Sequence, residues 1–382
     1  MQIRRSTGMV RLKLFSSIVA ALALWVTLAP ARAVAQSSPT GAEIGPVLIS
    51  DQFNNRVILV DKKTHKVLWH FGDGSDTPGP HSVVGVNDAE NFGLLTLISG
   101  TGIPPSNPAL PGCSDPVNGC PDNRVFIVGP EGNILWQYGQ GGVTGSGPNE
   151  LNTPVQSLIA LKFPKHHGFH VMITDQGNQR VILVNLRGEI VWQYGTTGVA
   201  GNDPNELNNP NSAELLANGH ILIADESNNR VIEITPAGEI VKTFTAGGTI
   251  SGAAFASRLS NGDTLISDAG NNRIVEVDSD DNVVWQYVTN TGPGSNPNPQ
   301  PTRGIRLRNG DTLISDQFNN RVIEVTKAGD IVFPARRDQR GREWVQPAQR
   351  SLRCETDRRL YRADASALIL TETGTISKPP DA

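Results

Sequence analysis

The chain has 382 residues, 38% of them apolar, enough to bury a sizeable core. Its net charge of −4 leaves no basic excess, which argues against nucleic acid as a partner. With 39 Gly and 26 Pro it is rich in turns, as a fold of many short strands requires.

Arg4, Arg5, Arg11 and Lys13 precede an apolar run from Leu14 to Leu28. Ala31-Arg32-Ala33 and Ala33-Val34-Ala35 both satisfy the small-x-small rule for cleavage. Residues 1–35 therefore read as a signal peptide, and the protein is expected to be secreted or periplasmic. The apolar run is short for the ~20 residues of a spanning helix, so no membrane span is expected after cleavage. Residues 36–46 read as a small polar linker.

Short strands then follow one another. Val47 to Ser50, Arg56 to Asp61 and Lys66 to Phe71 form the first group. The second opens near His81-Ser82-Val83-Val84 and continues at Leu94 to Ser99. It detours through Gly100 to Asp122 and resumes at Arg124 to Val128 and Asn133 to Tyr138. The detour holds Cys113 and Cys120, expected to form a local disulfide in an exported chain, with two free thiols as the alternative. Further groups run from Val155 to Tyr194, onward to Phe244, from Ala253 to Tyr287 and from Arg303 to Phe333.

The groups are copies of one unit, clearest at Ser212 to Phe244. An Asp-x4-Arg frame recurs at Asp51/Arg56, Asp175/Arg180, Asp225/Arg230, Asp268/Arg273 and Asp316/Arg321. A sixth copy keeps only Asn123-Arg124-Val125. Successive arginines are 68, 56, 50, 43 and 48 residues apart, a period that signals a solenoid, propeller or array. Within a unit, His220 to Ala224 is a short apolar run and Arg230 to Thr235 alternates with period two. Ala217-Asn218-Gly219 and Pro236-Ala237-Gly238 are hairpin signals. Four strands in about 40–45 residues, with no room for a helix, make one propeller blade. Residues 47–333 are thus expected to be all-β, a six-bladed β-propeller of four-stranded antiparallel blades.

A residue repeated in every blade is expected to do one structural job. For the Asp this is accepting backbone N–H groups of the following turn, and for the Arg pairing with the Asp. Trp69, Trp136, Trp192 and Trp285 share one position in the fourth strand and are expected to fill the gap between blades near the rim.

Asn261-Gly262-Asp263-Thr264-Leu265-Ile266-Ser267-Asp268, Asn271-Asn272-Arg273-Ile274-Val275-Glu276-Val277 and Val283-Val284-Trp285-Gln286-Tyr287 resemble NHL-type propeller repeats. They are also similar to repeats of arylsulfotransferase-like propellers. The resemblance covers about Val47 to Val332. It implies the fold, and it admits both binding modules and enzymes such as lactonases, lyases and sulfotransferases. The arylsulfotransferase likeness implies a histidine at the channel mouth, for which His81 is the candidate. Arg303 and Arg306 flank the inner strand of the last blade and are candidates for binding an anion. His166, His167 and His170 share one exposed hairpin, so no metal site is expected there. The sequence names no cofactor.

The reading that follows is a secreted binding or scaffold module, not an enzyme, with a ligand at the channel mouth: a small molecule, a glycan or a protein. The alternative is a propeller enzyme, arylsulfotransferase-like or lyase- or lactonase-like. An enzyme should bring two or more titratable side chains together at the mouth, whereas a binding module should present polar and aromatic groups there.

The first group lacks an inner strand, so the ring should be closed from the C-terminal side. Residues 334–382 instead form an atypical Arg-rich tail without the period. Back-translated from Pro334 and read one nucleotide later, the tail permits QHGETNVVGNGFNQLNAPYDAK and then IGDYTGLT. The first of these aligns with QYGTTGVAGNDPNELNNPNSAE, beginning at Gln193. The expectation is a single-nucleotide frameshift that replaced the closing strand and left Val47 to Ser50 unpaired. A basic tail outside the fold is the alternative.

Overall fold

Six antiparallel sheets, each of at least four strands, make a six-bladed β-propeller in the computed structural model. The structure describes residues 45–292, 295–337, 344–345 and 366–370; the signal-peptide segment and most of the linker lie outside the described residues. Written from the inner strand outward, blade two is Val86–Phe92, Leu95–Ile103, Cys120–Val128 and Ile134–Tyr138. Blade three is Pro154–Phe163, His166–Asp175, Arg180–Asn185 and Ile190–Tyr194. Blade four is Pro210–Leu215, Ile221–Asp225, Arg230–Ile234 and Ile240–Phe244, and blade five Ala253–Arg258, Thr264–Asp268, Arg273–Val277 and Val283–Val288. Blade six is Pro301–Arg306, Thr312–Asp316, Arg321–Val325 and Ile331–Arg337, with Trp344–Val345 paired outside it. Blade two thus starts five residues after His81, and two of its strands run into the insertion expected to be loop.

The core is a series of layers between neighbouring blades. Met172, Val181, Leu183 and Tyr194 of blade three pack on Ala213, Ile221, Ile223 and Ile232 of blade four. Phe71 and Val57 of blade one meet Ile98 and Phe126 of blade two in the same way. Alternate residues on each strand face opposite neighbours, so every blade contributes to two layers. At the rim, Trp69, Trp136, Trp192 and Trp285 donate their indole N–H groups to Pro130 O, Leu186 O, Pro236 O and Lys327 O of the next blade.

The repeated Asp and Arg form ion pairs: Arg56–Asp51 at 2.8 Å, Arg180–Asp175 at 2.8 Å, Arg230–Asp225 at 2.7 Å, Arg273–Asp268 at 2.7 Å and Arg321–Asp316 at 2.6 Å. The Asp does not cap the following turn, as the sequence reading held. It accepts the side-chain amide three residues on, as Asp225 does from Asn228 at 2.7 Å. It also accepts a backbone N–H from the connector that precedes its own blade: Asn152 to Asp175, Asn208 to Asp225 and Ser251 to Asp268, all within 2.8 Å. In blade two the frame is rebuilt from a different residue. Asp122 pairs with Arg124 and accepts Val84 N–H at 2.6 Å. Its carboxyl fills the space beside Gly100, where a Cβ would lie 2.6 Å from Asp122 Cγ, so only glycine fits opposite Arg124.

Blade one holds Val47–Asp51, Arg56–Val60 and Val67–Phe71, and takes its inner strand from Ser366–Leu370. The edge expected to be open is therefore paired. The register differs from the other blades. In blade four Pro210 faces Asp225 and Ser212 faces Ala224, so one residue is skipped directly after the Asp partner. The same skip is found in blades two, three, five and six. In blade one Ser366 faces Ser50 and Leu368 faces Ile49, so the skip falls one position later.

Candidate functional site at the channel mouth

The skipped residues mark the site. A bulge turns its extra residue out of the ladder and re-aims the side chain. Here those residues are Asn87, Val155, Asn211, Ala254 and Thr302, and all five line one cavity of about 300 Å³. The short 3-10 turns after four of the five repeated Asp residues supply a second tier, with Gln52, Glu226, Ala269 and Gln317 on the same cavity. The mouth is thus built of carboxamides with one carboxylate. Asn211 donates to Glu226 Oε2 at 2.7 Å, and burial pushes the Glu226 carboxyl up.

Phe255 and Arg303 also border the cavity. The Arg303 guanidinium lies 4.5 Å from the centre of the Phe255 ring and pairs with Asp88 Oδ1 at 2.7 Å. Asp88 Oδ2 accepts Ser157 N–H from blade three. That bond belongs to a wider pattern in which inner-strand side chains cap the free edge of the next blade. Gln156 accepts Ala213 N–H at 2.8 Å, Ser212 accepts Ala256 N–H at 3.1 Å and Glu214 accepts Arg258 N–H at 2.8 Å. The caps occupy edge groups that would otherwise be unpaired. Burial pushes the Glu214 carboxyl up to about 7. Glu90, two residues beyond Asp88, is pushed up to about 8 by burial and by the charge of Asp88, and its Oε2 is enclosed without a hydrogen-bond partner.

Of the candidates read from the sequence, Arg303 reaches the mouth. Arg306 does not: it pairs with Glu276 at 2.6 Å and lies over Trp285, between blades five and six. His81 is exposed, ahead of the inner strand, with Nδ1 3.3 Å from Gly132 O on an outer hairpin. His166 and His170 lie ring to ring at 6.1 Å, and His170 Nδ1 is 3.1 Å from Gly168 O. Among the described residues no cluster of three His, Cys, Asp or Glu could hold a metal. Cys113 and Cys120 are bonded as expected. Among the described residues no helix is long and apolar enough to cross a membrane. The carboxamide ring was missed by the sequence reading. Its signal was present in the two positions that vary from blade to blade, one after the repeated Asp and one inside the start of each inner strand.

No protein-family profile matches the chain, and no curated protein is significantly similar. Among solved structures it is similar to a streptogramin B lyase, at 14% identity over 80% of this chain and 81% of that one, with a TM-score of 0.51. It is also similar to a protein of unknown function from Bacteroides caccae (14% identity, 76% and 93% covered, TM-score 0.48) and a virginiamycin B lyase from Staphylococcus aureus (14%, 70% and 73%, 0.43). The likeness is one of fold.

Proposed function

We propose that this propeller is an exported binding module that takes a neutral ligand rich in hydroxyl or amide groups, such as a short glycan, at its channel mouth. The observation that carries the reading is the ring of Gln52, Asn87, Asn211, Gln300 and Gln317 around one cavity of about 300 Å³. Carboxamides both donate and accept, which suits hydroxyl and amide groups and does not select charge. The volume is at the small end of ligand pockets, enough for one or two sugar rings. Export is supported by the n-region and h-region ahead of Ala35 and by the Cys113–Cys120 disulfide, which fits an oxidising compartment. The repeats resemble NHL-type propellers, a family resemblance consistent with a binding role.

The enzyme reading is weaker on this geometry. Asp88 and Glu90, the carboxylates near Arg303, are not among the residues lining the mouth, and Glu90 Oε2 is enclosed. The test is calorimetric titration with glucose- and N-acetylglucosamine-based oligosaccharides, with the probes assayed afterwards for cleavage. Saturable binding without turnover, weakened about tenfold by Gln317→Ala, is the expected result. Failure of all probes to bind, or their conversion, refutes the reading.

A further inference from the structure

We propose that blade one is natively closed by a strand encoded one nucleotide out of frame with the residues written after Phe333. The inference is independent of the ligand at the mouth.

The first observation is a repeated latch with one member left open. Each blade has a left-handed residue just before its repeated Arg: Asn55, Asn123, Gln179, Asn229, Asn272 and Asn320, with φ between 51° and 58°. In five blades its side-chain oxygen accepts the backbone N–H of the residue preceding the next inner strand. The donors are Gly85 at 2.9 Å, Thr153 at 2.8 Å, Asn209 at 2.6 Å, Gly252 at 2.8 Å and Gln300 at 3.1 Å. The sixth latch should hold the entry to blade one, but Asn320 Oδ1 is buried and has no hydrogen-bond partner. A buried acceptor left unmade is costly, and the other five show what belongs there.

The second observation is the displaced skip in the Ser366–Leu370 ladder, which departs from a register that the other five blades share. The third lies in blade two, whose inner strand neighbours the closing strand. There Glu90 Oε2 is enclosed without a partner.

The shifted reading meets all three. It aligns residue for residue with the connector from Gln193 and places Asn-Ala-Pro where Asn208-Asn209-Pro210 enters blade four. Those residues supply an N–H for Asn320, and their proline falls where Pro210 faces Asp225, so the shared register returns. Many letters in the shifted reading are free, but two informative ones are not. Gln346 is CAA or CAG and Pro347 begins with C, so the shifted codon is AAC or AGC, Asn or Ser. It falls at the position of Asn205, the left-handed residue whose Oδ1 accepts Gly195 N–H at 3.0 Å. Glu355 is GAA or GAG and Thr356 begins with A, so the shifted codon is AAA or AGA. Lys or Arg is forced at the position of Glu214, which is also the position of Glu90 in blade two. A cation is thus supplied on the strand next to Glu90, whose Oε2 has no hydrogen-bond partner.

Two chains decide the matter: the chain as written, and one in which a nucleotide is removed at the Pro334 codon and synonymous codons encode the aligned strand. The shifted chain should melt higher. Asn320→Ala strains the left-handed turn in both chains, and it should lower the melting temperature of the shifted chain by about 2–4 °C more than that of the written one, the added effect of one buried hydrogen bond. A shifted chain that melts no higher, or equal effects of Asn320→Ala in both, overturns the proposal. Resequencing the gene is a second arm. A stop codon in the shifted frame before the Thr356 codon, or the tryptic peptide Cys354 to Arg358 recovered from the native protein, overturns it as well.

Discussion

Glu90 holds its proton well outside the ordinary carboxylate range. Its carboxyl titrates near 8 because burial and the Asp88 charge disfavour the anion, and Arg303 only partly offsets them. In the unfolded chain it titrates near 4.3. The folded protein therefore holds this proton over a pH range in which the unfolded chain has released it. The resulting stability is fully present below the unfolded value and is lost as pH rises through about 8. Glu90→Gln removes that dependence. Its stability should exceed that of the parent by about 1–2 kcal/mol at pH 8 and match it near pH 4, a reduced figure that allows for partial exposure. Denaturant midpoints measured across this range check the point, and parallel pH profiles for the two proteins would count against it.

At the scale of the element, the repeated Asp is a clamp that joins three pieces of backbone. Asp225 holds Arg230 and Asn228 of its own hairpin, and Asn208 N–H of the incoming connector. Removing it leaves a mostly buried guanidinium and a backbone donor without an acceptor. Asp225→Ala should cost about 3 kcal/mol, read from the shift in denaturant midpoint. Blade two shows that the clamp, not the spacing, is what the fold maintains. An insertion broke the Asp-x4-Arg frame there, and Asp122 with Gly100 rebuilt the carboxylate in the same place. The sequence reading kept Asn123-Arg124-Val125 and lost the acid, because the acid comes from the other side of the insertion.

Across the whole molecule, stability resides in the layers between blades, so a break in the ring is felt by both flanking blades. The insertion of blade two lies on one such border. Asn55 of blade one donates to Gly112 O at 2.7 Å, and Phe53 packs with Val84, Ile103, Cys113 and Cys120. The disulfide closes a short loop, so replacing Cys113 and Cys120 by Ser should cost about 2–3 kcal/mol, measured as a lower melting temperature under non-reducing conditions. No loss of stability would mean that the packing around Phe53 orders the loop without the bond.

The blades, their number and their strand order were legible in the sequence. Hydrophobic period, turn residues and the Asp-x4-Arg repeat are local signals, and in a propeller each repeat contacts mainly its neighbours. The rim tryptophans were legible as packing for the same reason. What the tertiary structure decided is everything that depends on the skip at the start of each inner strand. One extra residue in a ladder turns a side chain from the sheet into the channel, and no periodicity of two or of 3.6 announces it. That skip gathers Asn87, Asn211 and Thr302 from three blades into one cavity, brings in Arg303 and leaves Arg306 outside. Arg303 and Arg306 look alike in sequence because they lie on one strand. They differ in the fold because Arg303 reaches Asp88 of blade two, while Arg306 meets Glu276 of the adjacent blade.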